Sequence, residues 1–180
     1  IRFREYPIVI CADVTKMYRQ IWIYHSQRQY QRILWKEHPH LPIQEYQLNT
    51  VTYGTGPPAF LAIRSLRETA ILHNETHPAA VSSILKSFYV DDYLGGGQNL
   101  EQVKRMKSEV ETILKSRGFN LRKWVSNKKE VFDNHECRSE PMYFNEKDQL
   151  AVLGIQWTPL SDEFTFNSSS SETSSSGGTC

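Results

Sequence analysis

The chain has 180 residues, enough for one domain with a sizeable hydrophobic core, and its formal net charge is only +1. Its three cysteines are widely spaced, which argues against a disulfide framework or a zinc knuckle and fits a reducing compartment. Because the sequence contains no apolar run of membrane-spanning length and no signal-peptide pattern, we expect neither a membrane protein nor a secreted one.

The first predicted element is a strand buried on both faces. The apolar run Tyr6–Ala12 stops at Asp13, a pattern typical of a central strand that ends in a carboxylate. A turn or short helix is predicted over residues 15–23. Two further strands are predicted at residues 31–36 and 45–53, with prolines between them.

Three helices are predicted in the middle of the chain. The breaker cluster Gly54–Pro58 precedes a helix from about Pro58 to His73, with a proline in its first turn. Pro78 opens a second short helix that runs to Leu85. A third helix begins at Asn99, a good N-cap residue, and ends at Gly118.

An acidic pair stands between the second and third helices. Residues 87–90 and 93–94 flank Asp91 and Asp92, which predicts a hairpin with both carboxylates at its tip. Taken alone, adjacent aspartates more often mark a solvated turn than a site.

The remaining elements are three strands and a tail. The strands are predicted at residues 120–125, 150–157 and 163–166. Residues 167–180 are serine-rich and of low complexity, so we expect this tail to be disordered. The order of elements predicts an α+β fold of the split βαβ (ferredoxin-like) type, with an antiparallel sheet and helices packed on one face.

Such a sheet could bring together the acidic residues at the ends of two strands. Asp13, Asp91 and Asp92 are the residue types that hard divalent cations prefer. Two such ions held by carboxylates neutralise the charge that develops during phosphoryl transfer.

A local excess of positive charge is compatible with a phosphate-bearing partner. Residues 101–130 contain nine Lys or Arg against four Glu. Neutralised phosphates release counterions, which favours binding whatever the sequence of the nucleic acid. A solvated helix face explains the same charges equally well.

Three motifs carry a resemblance to a known family. Tyr89-Val90-Asp91-Asp92 resembles the Y-x-D-D box of reverse transcriptases, and Asp13 with Tyr18 five residues later resembles their first palm motif. Residues 50–66, with Tyr53-Gly54, resemble the second palm motif in the form that Pao/BEL retrotransposons favour. The order Pro58-Ala59 departs from that family, in which a small residue precedes the proline.

The resemblance spans about Ile8 to Phe166 and implies a role for each matching residue. Asp13, Asp91 and Asp92 would be catalytic and would bind two Mg²⁺ ions, with Mn²⁺ as a substitute. Tyr18 would be a steric gate against ribonucleotides. The other implied contacts are with the nucleotide, through Tyr53, Gly54 and either Lys123 or Lys129, and with primer and template, through Tyr89, Leu153, Gly154 and Trp157.

The resemblance also implies a domain organisation and a set of partners. Residues 1–166 would form a polymerase palm with most of the fingers and all of the thumb absent, as in a polyprotein fragment, followed by the tail 167–180. The partners would be an RNA template, a DNA primer and deoxynucleotides, together with protease, RNase H and integrase segments of the same polyprotein. The location would be a cytoplasmic retrotransposon particle, with a nuclear phase also open.

Two other functions remain open at the level of sequence. The chain could be a catalytically inactive retrotransposon remnant that binds nucleic acid weakly at best. A nuclease or cyclase built on the same core is disfavoured by Tyr18 and by residues 153–157. These residues resemble the primer grip of the family, a hairpin that positions the 3′ end of the primer.

Overall fold

The computed structural model describes residues 5–132, 150–152, 155–159 and 161–165. The chain forms two compact units, residues 1–142 and 143–180. In the described part of the first unit the elements are β1 (Ile8–Val14), β2 (Arg32–Trp35), β3 (Gln44–Gln47), α1 (Pro58–Ile71), α2 (Pro78–Ser87), β4 (Phe88–Tyr89), β5 (Asp92–Gly97), α3 (Leu100–Lys115) and β6 (Leu121–Ser126). Short 3-10 helices cover Met17–Gln20, His25–Tyr30 and Lys129–Val131. No helix within the described ranges is long and apolar enough to cross a membrane.

The main sheet has four strands in the order β4-β5-β1-β6. Every neighbouring pair in this sheet is antiparallel. Because β1 is a central strand, its buried run of apolar residues has neighbours on both edges, as the sequence predicts. The architecture is thus mixed α and β, with an antiparallel sheet and helices, and this part of the predicted fold class is confirmed.

The hydrophobic core lies between the helices and one face of the sheet. Ile10, Ala12 and Val14 of β1 share a buried cluster with side chains from all three helices, including Leu66 and Ile113. Since successive side chains of a strand point to opposite faces, Cys11 and Asp13 lie on the other face of the sheet.

Helix α3 follows the sequence prediction closely. Asn99 is its N-cap, and its side-chain oxygen accepts a hydrogen bond of 2.9 Å from the backbone N–H of Gln102. The side chain of Gln102 accepts from the backbone N–H of Gln98 rather than from that of the N-cap residue. Gly118, beyond the helix end, has a φ of +84°, the left-handed conformation expected of a C-terminal stop.

Gly97 in β5 allows α3 to approach the sheet closely. A Cβ atom added at Gly97 would lie 2.9 Å from a methyl carbon of Val103 in α3. Gly97 therefore fits beneath the helix where a larger residue would push it away. This contact fixes α3 over the strand that begins with Asp92.

Tyr93 joins β5 to α2 through a buried hydrogen bond. Its side chain is fully buried, and its hydroxyl lies 2.6 Å from the hydroxyl of Ser83. Burial raises the pKa of Tyr93 to about 12, with Ser83 acting in the opposite direction. We expect Tyr93→Phe to lower the free energy of unfolding by about 1 kcal/mol, measured by urea denaturation, because it removes this bond. Ser83→Ala is the matched control, and a double variant as stable as either single variant would confirm the coupling.

The strands β2 and β3 form a separate two-stranded sheet in the first unit. The strand predicted at residues 45–53 ends earlier, at Gln47. Beyond it the chain turns toward the residues that follow the first 3-10 helix, where the N–H of Val51 donates to the carbonyl of Ile21 and Trp22 pairs with Thr50. The strand prediction was too long because the pairing partner changes within the segment.

The second unit contains β7 (Leu150–Val152), β8 (Ile155–Thr158) and β9 (Glu163–Thr165), paired antiparallel in that order. The single strand predicted at residues 150–157 was wrong, because Val152 pairs with Ile155 and the segment is a hairpin. Trp157 is fully buried, and its indole N–H donates to Asp162 at 3.0 Å. The predicted tail 167–180 lies outside the described residues.

Candidate active site

The pairing of β1 with β5 places two carboxylates side by side. Asp13 and Asp92 are direct partners in the antiparallel register, so their side chains leave the same face of the sheet. The backbone N–H of Val14 donates to the carbonyl of Asp91 at 2.9 Å, which holds the acidic turn against the end of β1. The face that carries these carboxylates is the one opposite the helices.

The turn of the acidic hairpin lies one residue earlier in the chain than predicted. Tyr89 pairs with Asp92, so the two turn residues are Val90 and Asp91, and Asp92 is the first residue of β5. Placing both aspartates at the tip was therefore wrong. Asp91 is exposed on the turn, whereas Asp92 is half-buried on the sheet face.

Val90 has a φ of +56°, which is unfavourable for a β-branched residue. The surrounding strand pairing holds this strained conformation, a feature that is common at functional sites. The strain sets the direction in which the peptide enters Asp91. Valine is not a residue type that predicts a left-handed turn, so this conformation could not be predicted from the sequence.

We expect Val90→Gly to be more stable than Val90→Ala by about 0.5–1 kcal/mol, because glycine adopts positive φ without the steric cost that alanine incurs. Thermal and urea unfolding of both variants measure this difference. Tyr89 is the matched position in the same hairpin, with an exposed side chain and an ordinary φ. At this position Tyr89→Gly should be less stable than Tyr89→Ala. If the glycine variant is the more stable one at both positions, the result contradicts strain at Val90.

Electrostatics make the carboxylate pair unfavourable by itself. Burial raises the pKa of Asp13, the neighbouring Asp91 raises it further, and the charge of Lys123 lowers it. Burial likewise raises the pKa of Asp92, with Asp91 and then Asp13 adding to the effect and Lys123 opposing it. Within the described part of the chain, no side-chain hydrogen bond or ion pair compensates these carboxylates. A bound cation would relieve this repulsion.

A β-bulge positions Lys123 near the pair. Cys11 pairs with Val125 and Asp13 pairs with Arg122, so β6 uses one more residue than β1 over this interval. Lys123 lies inside the bulge with a φ of +54°. The sequence did not decide whether Lys123 or Lys129 would contact the nucleotide. In the structure the charge of Lys123 acts on the carboxylates, whereas Lys129 belongs to the 3-10 helix beyond β6.

The two tyrosines predicted to contact a nucleotide lie together. The rings of Tyr18 and Tyr53 meet edge to face, with centroids 4.8 Å apart and planes at 76°. Tyr18 is half-buried in the 3-10 helix that follows β1, whereas Tyr53 is 68% exposed. Gly54 follows with a φ of +82° and open space where a side chain would be.

The remaining predicted positions fall into three groups. Pro58, where the sequence departs from the family pattern, is buried and begins α1, the helix position that proline tolerates best. Tyr89 is exposed beside the acidic turn. Trp157 belongs to the second unit, and Leu153 and Gly154 lie outside the described residues.

The residues present fit a magnesium site that completes its coordination with other ligands. No group of three or more His, Cys, Asp or Glu side chains is arranged to hold a metal ion in the described portion of the chain. Mg²⁺ commonly takes only one or two carboxylates, together with waters and substrate phosphates. Asp13 and Asp92, with Asp91 on the adjoining turn, offer carboxylate oxygens of that kind.

Neither the comparison with protein-family models nor the comparison with curated proteins gives a match for this chain. The features that indicate a function are therefore the sequence motifs and the geometry around Asp13 and Asp92.

Proposed function

We propose that the chain is the palm region of a reverse transcriptase of the Pao/BEL type, which extends a primer with deoxynucleotides on an RNA or DNA template. The observation that carries this proposal is the direct pairing of Asp13 with Asp92 at the Tyr89-Val90-Asp91-Asp92 turn. Asp13, Asp91 and Asp92 are the three carboxylates that the family resemblance selects from the sequence.

The order of the strands supports the same proposal. Strand β5 lies between β1 and β4, and β6 lies on the other side of β1. This order agrees with the split βαβ arrangement expected of a polymerase palm. Asp13 and Asp92 are only half-buried at the end of their strands, where they would meet primer, template and nucleotide.

In the proposed reaction, Asp13 and Asp92, with Asp91 on the turn, would hold two Mg²⁺ ions. The ions would supply charge neutralisation at the attacking 3′-hydroxyl and at the transferred phosphate. The 3′-hydroxyl would lose its proton to water as its oxygen bonds to the α-phosphorus of the deoxynucleotide, and the bond from that phosphorus to the bridging oxygen of pyrophosphate would break. Lys123, whose charge acts on both Asp13 and Asp92, would give a proton to the departing pyrophosphate.

Selection of the sugar is assigned to the aromatic pair. Tyr18 would occupy the space that a ribose 2′-hydroxyl needs, and Tyr53 contacts the edge or face of its ring. Base selection would come from pairing with the template rather than from protein side chains. The remaining partners and the location are those implied by the family: further polyprotein segments and a cytoplasmic particle with a nuclear phase.

Primer extension on an RNA template tests the proposal. The assay contains Mg²⁺ and deoxynucleotides and compares the chain with Asp91→Asn and with Glu75→Gln, an exposed acidic residue between α1 and α2. We expect extension to be poor with the chain alone and robust with a longer version, in which Glu75→Gln should retain extension and Asp91→Asn should lose it. A longer version that includes upstream polyprotein residues serves as a second parent.

Two outcomes would contradict the proposal. If no parent extends a primer, the chain is better described as an inactive remnant. If Mg²⁺-dependent cleavage of nucleic acid or cyclisation of a nucleotide occurs without extension, the carboxylates serve a nuclease or a cyclase.

A further inference from the structure

The hairpin of β2 and β3 exposes an apolar face. Successive side chains of a strand alternate between its two faces, and Ile33 is the direct partner of Tyr46, so Ile33, Trp35 and Tyr46 share one face. Their exposed fractions are 42%, 58% and 45%. None of the three belongs to the hydrophobic core that the described residues form. This face is therefore available to a partner.

The hairpin lacks the packing that normally stabilises a sheet. Every residue of both strands is exposed. A two-stranded hairpin by itself is only marginally stable in water, and it becomes stable when further strands are added or when one face is packed. Additional strands paired with this hairpin would therefore stabilise it.

The outer edge of β2 carries backbone groups without a hydrogen-bond partner in the described part of the chain. The N–H of Leu48 donates to the carbonyl of Gln31 at 2.9 Å, so these two residues form a hydrogen-bonded pair. Hydrogen-bonded and non-hydrogen-bonded pairs alternate along antiparallel strands. The register of β2 with β3 therefore directs the N–H and C=O of Arg32 and Leu34 away from β3. An open edge of this kind is a template for pairing with another strand.

Charge around this edge is nearly balanced. Residues 22–47 contain three Lys or Arg and two Glu. One residue of each sign is already paired, because Nη1 of Arg32 lies 2.7 Å from a carboxylate oxygen of Glu45. Such a balance attracts neither a polyanion nor a polycation, and it does not oppose the approach of an identical chain. Charged residues are also depleted from the centres of protein interfaces.

The apolar area around the hairpin is sufficient for a dimer. Further apolar side chains of the same segment are 45–80% exposed, namely Trp22, Tyr24, Tyr30, Leu34, Leu41 and Ile43. Since one large aromatic side chain can bury about 150–250 Å², the Trp and Tyr residues of this segment alone expose roughly 500–800 Å². Each partner in a standard protein interface contributes about 800 Å².

We propose that β2 pairs with β2 of a second copy of this chain, antiparallel and about a two-fold axis at Ile33, so that the two hairpins form one continuous sheet. In this register Arg32 of each copy lies opposite Leu34 of the other, and both residues use the backbone groups that point away from β3. The apolar faces of the two hairpins join across the axis. The inference goes beyond the proposed polymerase function and involves none of its acidic residues.

Charge and hydrogen bonding select this register over its neighbours. A symmetric pairing must be centred on a single residue, because otherwise a residue directed away from β3 would face one directed toward it. A pairing centred on Arg32 would place the two copies of that arginine opposite each other. A pairing centred on Leu34 would place Arg32 opposite Lys36. Like charges directly opposite each other destabilise a sheet, so Ile33 is the favoured centre.

Sedimentation velocity over a range of protein concentrations tests the inference. We expect the parent to show a concentration-dependent equilibrium between monomer and dimer. Leu34→Pro should weaken the dimer about tenfold or more, because proline lacks the N–H that donates to the other copy. Gln47→Pro is the matched control. The N–H of Gln47 also points away from its partner strand, but at the edge of β3, so this variant should dimerise like the parent.

A pair of charge variants tests the position of the axis. Ile33→Lys and Ile33→Glu each place two like charges together at the axis, so each variant alone should dimerise weakly. An equal mixture of the two, with one of them fluorescently labelled, should form a heterodimer about tenfold tighter than either homodimer. Circular dichroism confirms that each variant is folded. Because the mixture regains what each variant has lost, misfolding cannot account for this result.

Four results would overturn the inference. The first is a parent that remains monomeric at every concentration tested. The second is a dimer that Gln47→Pro weakens as much as Leu34→Pro, and the third is a mixture of the Ile33 variants that gains no affinity. The fourth is a dimer formed by this chain but not by the longer version with upstream polyprotein residues. That result would assign the edge of β2 to the added residues.

Discussion

Replacing Asp92 with asparagine is expected to slow nucleotide incorporation by about a thousandfold or more. The change keeps the size of the side chain but removes a charged oxygen ligand, and metal-assisted charge stabilisation contributes several kcal/mol to such reactions. Single-turnover primer extension at saturating deoxynucleotide measures the loss. Glu75→Gln is the control that removes an exposed carboxylate elsewhere in the first unit.

The same substitution should make the metal-free protein more stable at neutral pH. Asp92 has a pKa raised from its ordinary 3.8 by burial and by neighbouring Asp91 and Asp13, so the folded state favours its protonated form. Its contribution to stability is present in full below the ordinary pKa and is lost as pH rises through the raised pKa. The parent should therefore lose stability relative to Asp92→Asn as pH rises from 3 to 7.

Urea unfolding at a series of pH values checks this expectation. Adding Mg²⁺ at pH 7 should stabilise the parent and leave Asp92→Asn almost unchanged, since binding to the folded state alone raises its stability. A variant that is less stable than the parent at every pH would show that Asp92 is structurally required. Reduced activity could then not be assigned to metal chemistry.

Replacing Lys123 with alanine is expected to lower the rate of incorporation by about 10²- to 10⁴-fold, the range typical of general acid catalysis. Lys123 lies in the bulge of β6, and its charge lowers the pKa of both Asp13 and Asp92. Lys129→Ala tests the alternative that the sequence left open, and we expect it to behave like the parent. Pre-steady-state kinetics distinguish slow chemistry from weak nucleotide binding.

The pH profile separates a role in catalysis from one in folding. Without Lys123 the pKa values of Asp13 and Asp92 should rise, because a charge that lowers both of them is removed. The acid limb of the rate profile should therefore move to higher pH in Lys123→Ala. An unchanged profile with a merely lower maximum would contradict an electrostatic contact with the carboxylates.

Local patterns were sufficient to predict most of the first unit. The apolar run before Asp13 predicted β1, and Asn99 and Gly118 predicted the two ends of α3. These features could be predicted because burial and capping depend on short stretches of sequence. The order of the elements also indicated that Asp13 and the acidic pair could lie close together, but not which of the two aspartates pairs with Asp13. Whether those residues perform the proposed chemistry remains a prediction.

The structural features that could not be predicted from the sequence depend on contacts between separate segments of the chain. The bulge around Lys123 arises only when β6 is aligned with β1, and the left-handed conformation of Val90 is imposed by the pairing of β4 with β5. Neither residue type favours that backbone conformation by itself. The hairpin of β7 and β8 was read as one strand because Val152 and Ile155 are equally suited to either.

Binding of Mn²⁺, followed by electron paramagnetic resonance with a deoxynucleotide present, tests the central claim most directly. Mn²⁺ reports on the site without requiring turnover, and the parent is compared with Asp13→Asn, Asp92→Asn and the control Glu75→Gln. The proposed site predicts two bound ions in the parent and the control, and weakened binding in both aspartate variants. Equal Mn²⁺ binding by all four proteins would contradict a metal site at the pair of Asp13 and Asp92.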